Sequence, residues 1–212
     1  MAGRGRDEKG SAAALIPPHP TIDRLRDAAE ECRGCDLWEN ATQTVFGEGP
    51  GRARVLMVGE QPGDREDLEG HPFVGPAGRI LDSGLTAAGI ARDDVYVTNA
   101  VKHFRWEARG KRRIHKKPSM EQVNACRPWL EAEIDLVGPE VVVCLGATAA
   151  QALLGRDFRV SRQRGEFVPS PGGPLLTATV HPSSILRAPD EAREAEMAAF
   201  VADLPAVAQR LT

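Results

Sequence analysis

Four continuous apolar runs constrain the fold of this chain more than any other feature. They occupy residues 54–58, 94–98, 141–145 and 175–180. Such runs are typical of strands that a parallel sheet buries on both faces. Segments with helical signals separate the runs, so strands and helices alternate along the chain. This order predicts an α/β fold with three αβα layers, in which a four-stranded parallel central sheet has helices on both faces.

Local signals set the ends of the predicted helices. Thr21 can cap a helix that ends near residue 31, and Pro76 is a favoured first residue for a helix that stops at Gly89. Ser119 and Gln122 have the spacing of a capping box, which opens a helix to about residue 137. Three further segments complete the prediction: helices at 147–154 and 190–211, the second interrupted near Pro205, and a short hairpin at 158–168.

The composition indicates one soluble globular domain. The chain has 212 residues, of which 42% are hydrophobic and 27% are charged. We interpret residues 1–20 as a disordered tail and residues 21–212 as a single domain, and we expect a monomer. No run approaches the ~18 apolar residues of a membrane span, and no signal-peptide pattern is present. Four cysteines without a secretory signal favour a reducing, cytoplasmic setting.

Polar residues stand where the predicted strands end. Glu60, Asn99 and His181 follow three of the four apolar runs, and Thr148 lies just beyond the other. Taken singly, these residues have ordinary structural explanations as turn residues or satisfied histidines. In open α/β sheets, however, ligands bind beyond the carboxyl ends of the strands, so their shared position predicts one pocket. Phe73, in the loop after the first strand, is a candidate to stack on a base there.

Residues 102–117 concentrate positive charge. They include eight Lys or Arg and one acid, in a chain whose formal net charge is −3. Phosphate is the expected target of such a segment, which favours a nucleic-acid ligand. The residues alone favour a role for His115 as one more polar contact to that ligand.

Three cysteines and a histidine have spacings compatible with a metal centre. Cys32-x-x-Cys35 is a metal-type motif, Cys126 lies far downstream, and His103 is the best candidate for a fourth ligand. Cys144 sits in an apolar run and is interpreted as a small buried hydrophobe. A site with three cysteines and one histidine suits structural zinc at least as well as an iron–sulfur cluster. An incidental motif without a metal is the other possibility.

Together these motifs resemble the uracil-DNA glycosylase superfamily, specifically its iron–sulfur, family 4-like members. The resemblance covers roughly residues 32–187. It rests on Cys32-x-x-Cys35, Gly59-Glu60-Gln61-Pro62-Gly63, Pro72-Phe73-Val74-Gly75, Val97-Thr98-Asn99-Ala100-Val101-Lys102, Cys126-Arg127-Pro128-Trp129-Leu130 and His181-Pro182-Ser183-Ser184. His103 in place of cysteine, Gln61 in place of a small residue and the added basic loop resemble the UdgX branch. That branch becomes covalently joined to uracil-containing DNA.

The resemblance implies a cofactor, a partner and roles for individual residues. The partner is uracil-containing DNA, preferably single-stranded, in DNA repair. The implied [4Fe-4S] ligands are Cys32, Cys35, His103 and Cys126. The implied uracil-binding residues are Gln61, Asp64, Phe73 and Asn99. The implied DNA-binding residues are Lys102, Lys111, Arg112, Arg113, Ser183, Ser184 and Arg187.

A mechanism follows for a flipped uracil. The Asn99 amide can pair with uracil O4 and N3–H, whereas cytosine reverses both groups. His181 would donate to the charge that develops on O2, and the resemblance places Glu60 at the water-positioning carboxylate. By the same resemblance, His115 attacks the sugar C1′ first and Glu60 takes its proton, so the protein acts once. The cations that flank His115 are expected to keep it neutral.

Three alternatives stay open. The first is a multiple-turnover glycosylase whose basic loop only binds DNA. The second is a non-catalytic nucleic-acid-binding module with structural zinc. The third is a redox iron–sulfur protein. This alternative is the weakest, because the sequence has no motif for a second cluster or for a flavin. A complex with uracil DNA that survives denaturation separates the covalent mechanism from the first. A brown colour with broad absorbance in the blue, or measurable release of uracil, argues against the second.

Overall fold

A central sheet organises the computed structural model, which describes residues 10–211. Residues 1–9, where part of the predicted tail falls, lie outside the described residues, as does Thr212. The strands are β1 (Val55–Gly59), β2 (Val95–Asn99), β3 (Trp106–Arg109), β4 (Arg112–His115), β5 (Val141–Leu145), β6 (Val168–Pro169) and β7 (Leu175–Thr179).

The central sheet has the strand order β2-β1-β5-β7-β6. Its first four strands are parallel and correspond to the four apolar runs, which confirms the predicted core of the fold. The strand β6 adds an antiparallel edge beside β7. The predicted hairpin at 158–168 is wrong, because β6 pairs with β7 across a turn in which Gly172 has a positive φ of 72°.

Helices cover both faces of the sheet. They are α1 (Ile22–Glu30), α2 (Asp64–Glu69), α3 (Pro76–Ala87), α4 (Met120–Val137), α5 (Ala147–Leu154), α6 (Val160–Gln163), α7 (Pro182–Arg187), α8 (Asp190–Asp203) and α9 (Pro205–Ala208). One buried cluster joins the sheet to α1, α4 and α5, and the other joins it to α3, α7 and α8. The predicted capping box of Ser119 and Gln122 is confirmed at the start of α4.

The segment before α1 is packed rather than disordered. Residues Ala12–Leu15 form a 3-10 helix, and Ala12 is fully buried in the cluster that contains α4. The prediction of a disordered tail is therefore wrong for this part, because its small and aliphatic residues dock against the core. Across residues 10–211, no helix combines the length and the apolar character that crossing a membrane requires.

The basic stretch folds into a hairpin. The strands β3 and β4 pair antiparallel around a turn at Gly110, whose φ is 60°. His115, the last residue of β4, pairs with Trp106 at the base of the hairpin. The sequence predicted only a loop here. The hairpin fixes His115 at the base, whereas Lys111 and Arg112 are exposed near the tip.

Candidate active site

A small cavity lies beyond the carboxyl ends of the parallel strands. It has a volume of about 170 Å³, and Phe73, Asn99, His115 and His181 line it. A wider groove of about 820 Å³ adjoins it, shares both histidines and adds Glu60. The residues at the ends of three separate strands therefore converge, together with the base of the hairpin.

The side-chain amide of Asn99 lines this cavity and has no hydrogen-bond partner among residues 10–211. Asn99 ends β2 and is 3% exposed. The amide lies against Gly59, where an added Cβ would collide with Asn99 Oδ1. Glycine at position 59 is therefore needed for this approach. An amide with both a donor and an acceptor free is suited to read the edge of a base.

Phe73 forms one wall of the cavity from a strained loop. Its φ of 58° is uncommon for a residue other than glycine. The Phe73 carbonyl packs so closely against Gly78 of α3 that no Cβ fits there. Glu66 Oε1 accepts a hydrogen bond from Gly75 N at 2.8 Å, which ties the loop to α2. Sequence reasoning missed Glu66, because an acid in the first turn of a helix needs no further explanation.

His181 is oriented by the helix that it caps. Its Nδ1 accepts a hydrogen bond from Ser183 N at 3.1 Å, so in the neutral ring the proton is on Nε2. Burial is the main cause that lowers the pKa of His181 to about 4, and Arg187 and His115 contribute to this shift. His181 is consequently neutral at physiological pH and can donate a hydrogen bond from Nε2.

Glu60 joins two elements at the mouth of the cavity. Its Oε1 lies 3.5 Å from His115 Nε2, and its Oε2 accepts a hydrogen bond from the Thr148 hydroxyl in the first turn of α5. The position of Thr148 beyond a strand was visible in the sequence, but its role as a partner of Glu60 was not predicted. Thr148 fixes the carboxylate in an orientation that faces His115.

The environment of His115 favours its neutral form. Its side chain is 46% exposed. Partial burial is the main cause that lowers its pKa, Arg187 adds to this, and Glu60 and a hydrogen bond to its own backbone oppose it. The sequence argument attributed the neutral form to the flanking cations. That attribution is wrong, because desolvation and Arg187 are the causes that lower the pKa of His115.

Gln61 and Asp64 both hold the hairpin in place. The Gln61 amide donates to Arg105 O at 3.1 Å and Lys116 O at 3.0 Å, and it accepts from Arg105 N at 3.1 Å. Gln61 therefore lines the cavity with its hydrogen bonds already used. Asp64 Oδ1 accepts from Arg113 Nε at 2.6 Å. The predicted contact of Asp64 with uracil is corrected, because its carboxylate faces the hairpin.

Two of the predicted DNA-binding cations form ion pairs with acidic side chains of the protein. Lys102 is 1% exposed and its ammonium lies 2.5 Å from Glu133, so it is not available to a phosphate. Arg113 bonds to both Asp64 and Asp67. For Lys102 and Arg113 the structure corrects the prediction. Four other members of the set are exposed or lie near the cavity mouth, and their contact with DNA stays a prediction: Lys111, Arg112, Ser183 and Arg187. The same holds for Ser184, whose hydroxyl donates to His181 O at 2.7 Å.

The three cysteines of the predicted cluster site are free thiols in one region of the fold. Cys32 Sγ accepts from Trp129 Nε1 at 3.4 Å, and Cys126 Sγ accepts from Lys102 N at 3.3 Å. Burial is the main cause that raises the pKa of Cys126 to about 12; Lys102 opposes this shift, and Cys35 and Cys32 add to it. N–H groups that point at ligand sulfurs are characteristic of iron–sulfur sites.

His103 has the protonation state of a ligand. The Thr44 hydroxyl donates to Ala29 O at 2.9 Å, so the 3.0 Å contact of Thr44 with His103 Nε2 requires the histidine to donate. The Nδ1 lone pair is therefore free. Burial lowers the pKa of His103 to about 4, which keeps the ring neutral. Three thiols and one neutral imidazole are a donor set that would suit an iron–sulfur cluster. No group of three His, Cys, Asp or Glu within residues 10–211 is arranged to hold one metal ion.

Comparisons with known proteins give the family of this chain. A family model described as the uracil DNA glycosylase superfamily matches residues 46–205. The chain belongs to this superfamily. It is 38% identical over 167 residues to a type-4 uracil-DNA glycosylase of Thermotoga maritima, with 78% of this chain and 83% of the relative covered. It is 37% identical over 185 residues to a type-4 uracil-DNA glycosylase of Archaeoglobus fulgidus, with 82% and 89% covered.

Proposed function

We propose that this superfamily member is a uracil-DNA glycosylase that excises uracil from DNA and is then trapped as a covalent adduct through His115. The observation that carries the second part is the position of His115 Nε2, 3.5 Å from Glu60 Oε1 at the mouth of the cavity. In an ordinary glycosylase a water molecule would occupy the place beside such a carboxylate. Here an imidazole stands there instead.

The proposed recognition of uracil uses groups that the protein leaves free. The Asn99 amide donates to O4 and accepts from N3–H, and the base lies against Phe73. Cytosine offers a donor where the amide donates and an acceptor where it accepts. Both hydrogen bonds would be lost with cytosine, and the desolvated amide would be left unpaired.

The proposed reaction begins with heterolysis of the C1′–N1 bond. The electron pair goes to the uracil ring, whose O2 accepts a hydrogen bond from His181 Nε2–H, and C1′ becomes an oxocarbenium carbon. In this scheme Nδ1 carries the proton of the neutral His115 ring, which leaves the lone pair on Nε2, the nitrogen that lies 3.5 Å from Glu60 Oε1. The Nε2 lone pair then forms the bond to C1′ and yields an imidazolium. In this scheme Glu60 stabilises the positive charge, because it faces Nε2. Solvent takes the Nδ1 proton, in place of Glu60 as the sequence argument expected.

The adduct is tested on a denaturing gel. Protein mixed with uracil-containing single-stranded DNA is expected to give a band that survives heat and detergent, in a ratio near one protein per DNA. The same strand with thymine is expected to give none. Repeated release of uracil by one protein without a stable band would leave the multiple-turnover glycosylase, in which the hairpin only binds DNA. The proposal also includes a preference for single-stranded DNA, a monomeric state, a role in DNA repair and a cytoplasmic location.

We also propose that the resident cofactor is a [4Fe-4S] cluster, held by Cys32, Cys35, His103 and Cys126. When bound, it would tie the segment after α1 and the turn before the hairpin to α4, which is a structural role. Protein purified without oxygen is expected to contain about four irons and to absorb broadly in the blue. Cys35→Ala should lose both signals, and Cys144→Ala, at the buried cysteine of β5, should keep them. One zinc per chain and no iron would overturn this assignment.

A further inference from the structure

A buried ion pair lies directly behind the residue that faces the base. Lys102 Nζ is 2.5 Å from Glu133 Oε2, and the two side chains are 1% and 0% exposed. Desolvation makes such pairs poor sources of stability, since apolar replacements of similar size are often as stable or more stable. The pair therefore calls for an explanation other than stability, and the contacts of its two members supply one.

Lys102 closes the turn that carries Asn99. Its ammonium donates to Asn99 O at 2.9 Å and to Thr98 Oγ1 at 2.6 Å. The turn is also attached to the end of β1, because Ala100 N donates to Gly59 O at 2.9 Å and Val101 N donates to Glu60 O at 3.1 Å. The Asn99 amide has no hydrogen bond of its own within residues 10–211, so these backbone contacts determine where it points.

The same lysine contacts the cysteine site. Its backbone N–H donates to Cys126 Sγ at 3.3 Å, and His103 is the next residue. Cys126 and Glu133 both belong to α4, two helical turns apart. Glu133 is fixed from a second side, because Tyr96 Oη donates to it at 3.0 Å and Gly47 N at 3.1 Å. A displacement of α4 at Cys126 would consequently move both anchors of the turn.

We infer that Lys102 and Glu133 are positioning residues that set the Asn99 amide for uracil and couple the Cys126 region to the uracil cavity. This inference rests on the proposed function and deepens it. Lys102 reaches the base only through Asn99, and it reaches Cys126 through its own backbone. The presence or absence of iron at the cysteine site then affects how well the Asn99 amide is positioned to bind uracil.

The test removes both charges and keeps the acceptor that Tyr96 and Gly47 need. In the double variant Lys102→Met/Glu133→Gln, the rate of uracil release at low DNA concentration is expected to fall on the order of 10- to 100-fold.

Hydrogen exchange at the Ala100 and Val101 amides of this variant should become faster. Its midpoint of thermal unfolding and its iron content should stay close to those of the wild type. The matched control is the exposed pair Arg127–Glu131 on α4, changed in the same way to Met and Gln.

Hydrogen exchange also tests the coupling between the cysteine site and the turn that carries Asn99, and this test needs no substrate. Removal of iron from the wild-type protein is expected to speed exchange at Ala100 and Val101, and in the double variant iron removal should add little, because the link is already broken. If the double variant does not fold, Glu133→Gln alone is compared at the same amides and at Val143 in β5. Faster exchange confined to residues 99–102 supports positioning, and faster exchange everywhere overturns it. Wild-type exchange and rate in a folded double variant also overturn it. Absence of uracil release from the wild type would refute the proposed function and leave the exchange result to stand alone.

Discussion

Replacing His115 by alanine is expected to abolish the denaturation-resistant complex with uracil DNA while uracil release continues. The loss of the adduct should be complete, because alanine has no lone pair with which to capture C1′. Asn99, Phe73 and His181 remain in place to bind and cleave. Glu60, still held by Thr148, then faces a gap that water can enter. A denaturing gel measures the adduct, and a single-turnover assay with labelled uracil measures the release.

The variant His71→Ala provides a matched control. His71 is an exposed histidine that contacts Glu48 and does not line the cavity. It should form the adduct at the wild-type rate. If His115→Ala still forms a heat-stable complex, another residue is the nucleophile. If it loses uracil release and the adduct together, His115 acts in bond cleavage as well, and the division of labour among the cavity residues proposed above fails.

The parallel core of the fold could be predicted because burial on both faces leaves a local signature. The runs at β1 and β5 are apolar throughout, and those at β2 and β7 are interrupted only by threonine and, at the end of β2, by Asn99, so each can be recognised without reference to the others. The strand β6 has two residues, Val168 and Pro169, and both are exposed. Nothing in so short a segment distinguishes a strand from a loop, and its pairing depends on β7.

The cavity could be predicted from topology, but the roles of its charged neighbours could not. In the sequence Lys102 and Arg113 look the same as Lys111 and Arg112, since all four lie in one basic stretch. Lys102 and Arg113 differ from the other two because they pair with acids that are distant in the sequence. Lys102 pairs with Glu133, and Arg113 pairs with Asp64 and Asp67. Long-range pairing of this kind leaves no periodic or local pattern. The assignment of Gln61 to uracil failed for the same reason. Its partners are backbone groups of residues 105 and 116, beside the hairpin, and the sequence gives no sign of this contact.

The second large effect is expected at Asn99. Asn99→Ala should lower the efficiency of uracil release by about 100- to 1000-fold, because two hydrogen bonds to the base are lost at about 1.4 to 2 kcal/mol each. The fold should be preserved, since the amide makes no hydrogen bond to any residue from 10 to 211. Single-turnover rates at several DNA concentrations, with thermal unfolding beside them, measure the two quantities. Asn124→Ala, at an exposed amide on α4, is the control and should behave as the wild type.

A modified substrate shows whether Asn99 reads the base directly. Methylation of uracil N3 removes the donor that the amide accepts from and adds bulk at the same point. The wild type should therefore discriminate strongly between uracil and 3-methyluracil, whereas Asn99→Ala should discriminate weakly, because the truncated side chain neither pairs with N3–H nor blocks the methyl group. Equal discrimination by the two proteins would mean that another group contacts this edge of the base. The loss in Asn99→Ala would then come from a displaced turn, which faster exchange at Ala100 and Val101 would reveal.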